Sequence, residues 1–404
     1  MKDLQTIREH AALYLIWSNR VLSRGRISDI LSLKPPTVSA LIHDLINSGR
    51  VREGRLADSS GGRRAKLLEI VPTWGWVIGL EFSSRGIVSA CARMNGDIYN
   101  IKQSNIESGA GRDKILKSLS AAIRYQINNI RKIDLAPIFR IGVAISGLVD
   151  EKTGISINFP RLEDWKDVPL KQIFEQEFGV RTVVENRITA ITCAEHLFGE
   201  HKDLKDVLIF QMGPGLGMGI ILNGQVRRGV KWSVGEFGHI AFSSDNGPLC
   251  YCGKRGCLES VASDYALVAQ AKDAIKDGVN TRILDFAGSK DNITAEAICH
   301  AAEDGDRLAY NMLERVGYFL AMGVANLLNV LGPEAVLFGG SMIEPNDVLL
   351  DCIQRNLRVY TLEYIEKHVK VAKATFGSNQ GIQGAITIAL NDCYTKPQAG
   401  NSIG

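Results

Sequence analysis

The feature that most limits the fold of this chain is an order of strands and helices that occurs twice after residue 72. Apolar strand-like runs at 76–82 and 87–94 are joined by short turns, and alternating helices and strands follow. The order starts again at 207–210 and continues to a long apolar helix at 307–331. Strands that alternate with crossover helices are typical of α/β proteins. The pattern predicts two related α/β lobes around a cleft.

The first 72 residues differ from the rest of the chain in charge. They contain twelve Lys and Arg against seven Asp and Glu, whereas the remaining residues contain 35 and 37. The net charge of +3 therefore has its positive excess entirely in this segment. Such localised charge is expected where one part of a protein meets a polyanion. We therefore expect one domain over 1–72 that binds a polyanion such as DNA and a second domain over 73–404.

The same segment has the pattern of a winged helix-turn-helix. Helices are predicted over 4–18 and 27–33, the second capped by Ser28, and a third starts at Pro35 and Pro36. Two strand-like runs with a basic, glycine-rich tip between them predict the wing. In this fold the third helix enters the major groove of double-stranded operator DNA. The predicted DNA-binding residues are Lys34, Pro36, Thr37, Ser39, His43, Arg52, Gly62, Arg63 and Arg64.

Two alternatives stay open for this segment. The arginines of the wing either neutralise phosphates only or enter a narrow minor groove, where the potential is more negative. A three-helix dimerisation module would explain the helices, but it would not explain the charge excess or the basic hairpin.

One histidine and three cysteines have the spacing of a metal site. His239, Cys250, Cys252 and Cys257 follow the pattern His-x10-Cys-x-Cys-x4-Cys. One imidazole and three thiolates form a closed tetrahedral set suited to Zn²⁺, with no position left for a reactive water. The pattern predicts a structural zinc loop over 239–259. The alternative is a set of reduced thiols, which is how we interpret the five scattered cysteines.

Three motifs resemble the ROK family of repressors, open reading frames and kinases. They are Gly235-Glu236-Phe237-Gly238-His239, the run 250–259 and Val184-Glu185-Asn186. The resemblance extends from the first helix to about residue 390. It implies a two-lobed actin/Hsp70-like (ribonuclease H-like) sugar-kinase fold with zinc at the four positions named above. The N-terminal segment is similar to that of the family's repressors of glucose, N-acetylglucosamine and xylose genes.

The resemblance also implies an effector site. Asn186, Glu236, His239 and Glu259 match the family's hexose-contacting positions, and Asn158 with the run 161–165 matches the loop that closes on the sugar. We expect His239 to bind zinc through one ring nitrogen and the sugar through the other. Binding of the sugar would then be coupled to the metal loop.

Two departures from the family pattern argue against catalysis. Family kinases carry Asp-x-Gly-Gly-Thr-Lys at the phosphate turn, where this chain has Glu81-Phe82-Ser83-Ser84-Arg85-Gly86. Directly after the asparagine that matches Asn186, they also carry an aspartate that acts as the general base, where this chain has Arg187. A guanidinium has no acceptor lone pair and cannot act as a general base. We expect no catalytic residues and no enzyme; the alternative is an ATP-dependent sugar kinase with an accessory DNA-binding domain.

Arg187 has two interpretations. It either recognises an anionic effector such as a sugar phosphate or forms an ion pair with a carboxylate such as Glu185 or Glu236. The effector is thus expected to be a sugar or a sugar phosphate. Helix-turn-helix proteins read paired half-sites, so a homodimer or homotetramer is expected. The helix at 308–331 is either a dimer surface or buried in its own lobe, and we prefer burial. The sequence contains no membrane span and no signal-peptide pattern, so we expect a cytoplasmic protein without a membrane partner.

Overall fold

The computed structural model describes residues 2–57, 64–107, 109–160, 162–229, 233–242 and 247–395. The chain forms two compact units, Met1–Ala190 with Gly381–Gly404 and Ile191–Gln380. Within the described ranges, no helix combines the length and the apolar character that crossing a membrane requires. The domain boundary at residue 72 stays a prediction.

Three helices and a small antiparallel sheet form the N-terminal part of the first unit. The sheet order is β1-β3-β2, and the predicted third helix is present with prolines in its first turn. The elements are α1 (Lys2–Ser18), β1 (Leu22–Ser23), α2 (Arg24–Leu31), α3 (Pro35–Asn47), β2 (Val51–Leu56) and β3 (Lys66–Ile70).

The predicted cap of α2 is wrong. Ser23 caps this helix by accepting a hydrogen bond from the Arg26 N–H at 3.3 Å, whereas the Ser28 hydroxyl donates to the Leu33 carbonyl at 2.6 Å. The reason is the two-residue strand β1, which pairs with β3 and leads straight into the helix. α2 therefore begins three residues earlier than predicted.

A five-stranded sheet forms the centre of the first unit, in the order β11-β7-β4-β5-β6. β4, β7 and β11 are parallel, while β5 and β6 continue β4 as antiparallel hairpins. A second small sheet has the order β10-β9-β8. The elements are β4 (Trp76–Ser83), β5 (Gly86–Arg93), β6 (Ile98–Ser104), α4 (Arg112–Ile133), β7 (Ile138–Ile145), β8 (Val149–Asp150), β9 (Ile155–Phe159), β10 (Leu162–Val168), α5 (Leu170–Phe178), β11 (Thr182–Asn186), the first turn of α6 (Arg187–Phe198) and the C-terminal α14 (Gln380–Thr395). From Ile191 onward, α6 belongs to the second unit.

Helix α14 packs directly on the backbone of this sheet. A Cβ atom at Gly142 would lie 2.1 Å from the Ala385 carbonyl oxygen, and one at Gly79 would lie 2.8 Å from Ile386. Gly142 in β7 therefore has to be glycine for the helix to approach, because the clash is with backbone, whereas at Gly79 in β4 the neighbour is the end of the Ile386 side chain.

The second unit contains a sheet with the order β14-β13-β12-β15-β16. It repeats the arrangement of the first unit: the first strand of each sheet, β4 or β12, is central, with its hairpin strands on one side and two later parallel strands on the other. Its first three strands are antiparallel, and β15 and β16 are parallel additions to β12. The repeat confirms the predicted pair of related α/β units. The elements are β12 (Val207–Met212), β13 (Leu216–Leu222), β14 (Gln225–Val226), α7 (Glu259–Ala262), α8 (Asp264–Lys276), α9 (Ile283–Ala287), α10 (Ala295–Glu303), α11 (Arg307–Leu331), β15 (Ala335–Gly339), α12 (Val348–Tyr360), α13 (Glu363–Glu366) and β16 (Lys370–Lys373).

The apolar stripe of α11 packs in the core of the second unit. Met312, Val316 and Leu320 are buried in the core of the second unit. The stripe is therefore core, which was the preferred interpretation of this helix. Helix α12, against which α11 packs, was not predicted.

The end of α14 holds α1 within the first unit. The rings of Trp17 and Tyr394 lie 5.1 Å apart, and both side chains are buried. The Tyr394 hydroxyl donates to the Met94 carbonyl at 2.6 Å, and Arg20 donates to the Asn95 carbonyl at 2.8 Å. The N-terminal helices are thus attached to the sheet by specific contacts.

A buried ion pair near this junction gives a stability prediction. Asp392 on α14 accepts from Arg140 on β7 at 2.8 Å, and both side chains are about 5% exposed. Asp392→Asn leaves a buried guanidinium without its counter-charge, so the free energy of unfolding should fall by about 3–5 kcal/mol in urea denaturation. Asp273→Asn, at an exposed carboxylate on α8, should change it by less than about 0.5 kcal/mol. Equal effects of the two substitutions would contradict this account.

Candidate functional site

The four predicted metal ligands lie together in the second unit. One ligand atom from each of His239, Cys250, Cys252 and Cys257 can be chosen so that all lie within 4.8 Å of one another. His239 Nδ1 is 3.8 Å from Cys250 Sγ, and the Cys252 and Cys257 sulfurs are 3.7 Å apart. Three thiols and one imidazole at these distances could hold a metal ion.

Local backbone pairing brings the ligands together. Bridges join Ala241 with Cys257 and Leu249 with Arg255, and the Cys250 N–H donates to the Lys254 carbonyl. Burial raises the pKa of Cys257 to about 12 and also raises the pKa of Cys250. Because ligating sulfur must be a thiolate, binding of a metal must release these protons.

The second ring nitrogen of His239 has a neighbour that the sequence analysis missed. His239 Nε2 lies 3.3 Å from the Tyr251 hydroxyl, and the two rings pack edge to face at 5.5 Å. This is the nitrogen expected to contact a sugar. The sequence signal for this contact is the position of Tyr251 between Cys250 and Cys252.

Glu259 and Glu236 differ in their surroundings. Glu259 is buried, and its Oε2 accepts a hydrogen bond from the Leu216 N–H at 2.8 Å. A Cβ atom at Gly238 would lie 2.7 Å from the same oxygen. One oxygen of Glu259 therefore already holds the turn before β13. Glu236 is exposed at the start of the short helix Phe237–His239.

In the first unit, Asn158 and Asn186 meet at one turn. Asn158 Oδ1 accepts from the Leu148 N–H at 2.9 Å, and Asn186 Nδ2 donates to the Gly147 carbonyl at 2.8 Å. Gly147 has a φ of +95°, which favours glycine. Asn186 Oδ1 also accepts from the N–H groups of Ile188 and Thr189. The Asn186 amide therefore caps α6 as well as fixing the turn.

Arg187 forms an ion pair with a carboxylate that we did not predict. Its Nε lies 2.6 Å from Glu81 Oε1, and the two side chains are 19% and 7% exposed. The expected partners were Glu185 and Glu236. Glu81 on β4 and Glu185 on β11 both pair with Ala144 of the strand between them, so they lie at the same level of the sheet. Parallel register, rather than distance along the chain, determines this contact.

The two departures from the kinase pattern are thus one structural feature. Glu81 begins the stretch matched to the phosphate turn, and Arg187 stands at the position matched to the base. Ser83 pairs with Gly86 in a two-residue hairpin whose tip, Ser84 and Arg85, is exposed. A Cβ atom at Gly381 would lie 2.1 Å from the Glu81 carboxyl carbon, so α14 begins against the same ion pair.

The predicted DNA-binding residues of α3 are largely on its outer surface. Lys34, Pro36, Ser39 and His43 are exposed, and Thr37 is partly buried. Val38, Leu41, Ile42 and Leu45 form the predicted buried face.

The predicted DNA-binding residues that follow α3 differ in their surroundings. Arg52 is exposed but pairs with Glu69 at 3.1 Å, so this arginine is partly neutralised. Arg64 is exposed. Gly62 and Arg63 lie outside the described residues.

The ion pair of Arg187 and Glu81 gives a second prediction. Arg187→Met leaves a buried carboxylate unpaired and should lower the free energy of unfolding by about 3–5 kcal/mol, whereas adding Glu81→Leu should restore much of it. The matched control is Arg124→Met, at an exposed arginine of α4 that pairs with Glu177, where the loss should stay below about 1 kcal/mol. Additive losses in the double-mutant cycle would show that the pair is not an energetic unit.

Comparisons with known proteins match the fold over nearly the whole chain. A xylose repressor from Caldicellulosiruptor bescii is 30% identical over 401 residues, which cover 98% of each chain. The solved structure of a ROK family transcriptional regulator, a homologue of the E. coli MLC protein, has a TM-score of 0.82 and 26% identity and covers 97% of each chain.

A kinase of known structure matches a shorter part of the chain. The ROK family glucokinase from Streptomyces griseus, in complex with glucose and AMPPNP, has a TM-score of 0.70 and 29% identity, covering 78% of this chain and 100% of that one. The ROK family model itself matches residues 87–392. The chain belongs to the ROK family.

Proposed function

We propose that this chain is a DNA-binding transcriptional repressor of carbohydrate genes whose operator affinity is set by a sugar effector. The observation that carries this proposal is the extent of the matches. The xylose repressor matches the chain over its whole length, including the basic N-terminal segment, whereas the glucokinase matches 78% of it. The ROK family model matches residues 87–392, so the segment with all the excess positive charge lies outside the part that this model covers.

The N-terminal 72 residues act in this proposal as a winged helix-turn-helix. Helix α3 presents Ser39 and His43 on its exposed surface, where small polar side chains can approach base edges. Lys34 precedes the helix and Arg64 follows the wing tip, and both suit phosphate contacts. Gly62 and Arg63 stay predicted DNA contacts.

The proposed effector residues form one set in each unit. Asn158, Asn186 and Arg187 belong to the first unit, and Glu236, His239 and Glu259 to the second. Amides, carboxylates and imidazole supply the hydrogen bonds that neighbouring sugar hydroxyls require. That both sets contact one sugar stays a prediction.

A neutral sugar fits these residues better than a sugar phosphate. The guanidinium of Arg187 is mostly buried and already paired with Glu81, so a phosphate would have to compete with a fixed internal anion. Because a named relative is a xylose repressor, D-xylose is the first effector to test.

We also propose that the chain does not transfer phosphate. The base position holds a cation, and that cation neutralises the carboxylate at the start of the former phosphate turn. The guanidinium of Arg187 has no lone pair with which to accept a proton from a sugar hydroxyl, and Glu81 is held in an ion pair with it. A sugar kinase with an accessory DNA-binding domain remains the competing function.

Zn²⁺ is the proposed occupant of the His239–Cys257 cluster, with a structural role. Four protein ligands fill a tetrahedral site, so the ion would contribute to folding by cross-linking the loop 239–257. The protein acts as a homodimer or homotetramer in this proposal, because two heads are needed for two half-sites.

A gel-shift experiment on the chain's own promoter region tests the proposed repressor. Wild-type protein should retard this fragment, and D-xylose, D-glucose, N-acetylglucosamine or a hexose 6-phosphate should change its affinity, with a neutral sugar acting most strongly. Lys34→Ala should weaken binding to all fragments and reduce the slope of log affinity against log salt concentration by about 1. Ser39→Ala should weaken binding to specific sites only. Lys132→Ala, at an exposed lysine of α4, serves as the control. No retardation of any promoter fragment would refute the proposal.

Metal analysis tests the zinc assignment. Purified wild-type protein should contain one zinc per chain, and Cys257→Ser should lose it and melt at a lower temperature, because structural zinc sites contribute folding energy. Cys193→Ser removes a half-buried thiol outside the cluster and should keep the metal. Full zinc content in Cys257→Ser would rule out this site.

A further inference from the structure

A pocket of about 280 Å³ lies in the first unit, between helix α1 and the central sheet. One wall comes from α1 and the residue before β2, and the other comes from the turn Pro72–Trp74, from β7 and from the end of α14. We call this the junction pocket, and its lining residues are Thr6, Glu9, His10, Leu13, Arg50, Trp74, Phe139, Arg140 and Cys393. A ligand in it would contact both the basic N-terminal segment and the sheet.

Two aromatic rings and a leucine form the apolar part of the junction pocket. The rings of Trp74 and Phe139 lie 4.8 Å apart and are tilted by 51°. A Cβ atom at Gly75 would lie 2.1 Å from the Phe139 ring, so this ring packs directly on the backbone. Leu13 is buried. A cavity of about 150 Å³ with apolar walls is enough for benzene, so this pocket has room for one aromatic ring that carries a polar group.

The charged part of the junction pocket has more cations than anions. Arg50 pairs with Glu9 at 2.8 Å. Arg140 pairs with Asp392 at 2.8 Å, and Arg181, which does not line the pocket, shares this aspartate at 3.2 Å. Three guanidinium groups against two carboxylates leave an excess of one positive charge. A single anionic group on a ligand would balance it.

His10 does not add to this charge at neutral pH. Burial lowers the pKa of His10 from its ordinary value and outweighs the nearby carbonyls of Tyr394 and Cys393, which would raise it. The Arg50 guanidinium also lowers this pKa, whereas Glu9 raises it. The imidazole is therefore mainly neutral near pH 7, and the excess stays at one positive charge.

Arg50 is the cation that a ligand in the junction pocket can reach. Its side chain is 25% exposed, whereas that of Arg140 is 6% exposed. The Arg50 Nε donates to the Ser48 hydroxyl at 2.9 Å and its Nη2 donates to Glu9, so the guanidinium is held in place. A cation that is ordered before binding loses less conformational entropy when an anion arrives. A guanidinium also suits a carboxylate, because the hydrogen bonds between them are charge-assisted.

We propose that the junction pocket binds a small aromatic carboxylate. The ring of the ligand packs against Trp74 and Phe139, and its carboxylate accepts hydrogen bonds from Arg50. The bound ligand joins α1 to the sheet and so holds the N-terminal helices in place. None of the nine lining residues is among those proposed to contact a sugar, a metal ion or DNA. The proposal therefore does not rest on the proposed function.

Calorimetric titration of the full-length protein with benzoate tests this proposal. Benzoate should bind once per chain and should raise the melting temperature, because a ligand that binds only the folded state stabilises it. Benzamide keeps the ring but is neutral, and acetate keeps the charge but has no ring. Each should bind about 10-fold more weakly than benzoate, since a hydrogen bond to a charged group or the burial of a ring contributes more than about 1.4 kcal/mol.

Two variants place the ligand in the junction pocket. Arg50→Gln removes the cation and should weaken benzoate binding about 10-fold. Thr6→Phe adds a ring at the exposed rim of the pocket and should abolish binding by filling it. The matched control is Arg124→Gln, at an exposed arginine of α4 that pairs with Glu177, which should bind benzoate like the wild type. Circular dichroism of each variant establishes that it is folded.

Three results would overturn the proposal. They are no saturable binding of benzoate, benzamide that binds as tightly as benzoate, and benzoate binding that stays unchanged in folded Thr6→Phe. Because Thr6 is exposed on α1, its replacement tests the site even where Arg50→Gln fails to fold. These measurements involve neither DNA nor a sugar, so the proposed function stands or fails separately.

Discussion

The ion pair between Glu81 and Arg187 is the interaction on which the first unit's functional end depends. It joins the end of β4 to the first residue of α6. Helix α14 begins beside it at Gly381, where a Cβ atom would clash with the Glu81 carboxyl group. Replacing one partner alone would leave a charge in a mostly buried position, so the two positions are energetically linked. In the proposed function, this ion pair stands at the positions matched to the base and the phosphate turn of the family's kinases.

Several predicted ligand contacts also have structural roles. Asn186 caps α6 and holds the Gly147 turn, and Glu259 holds the Leu216 amide at the start of β13. His239 faces the thiols through one nitrogen and Tyr251 through the other. A sugar that takes a hydrogen bond from one of these groups therefore competes with a helix cap or a turn. Such competition would give an effector a physical means of shifting a conformational equilibrium, provided that it binds the two states unequally.

The sequence predicted the parts of this molecule that depend on local pattern or spacing. The repeated α/β order, helix α3 and its buried face, and the grouping of His239 with three cysteines all follow from residues close together in the chain. It did not predict contacts that depend on sheet register. Glu81 lies 106 residues from Arg187, and only the pairing of both β4 and β11 with β7 brings them together. The cap of α2 was wrong for a related reason, since β1 is too short to be recognised without β3.

The most direct test of the central claim is release of ADP from ATP and Mg²⁺ in the presence of a sugar panel that includes D-xylose, D-glucose and N-acetylglucosamine. The pairing of Arg187 with Glu81 predicts no sugar-dependent release above the background without protein, even for a sugar that alters operator binding. Robust turnover with any of these sugars would show that the kinase reaction survives, and it would contradict the account.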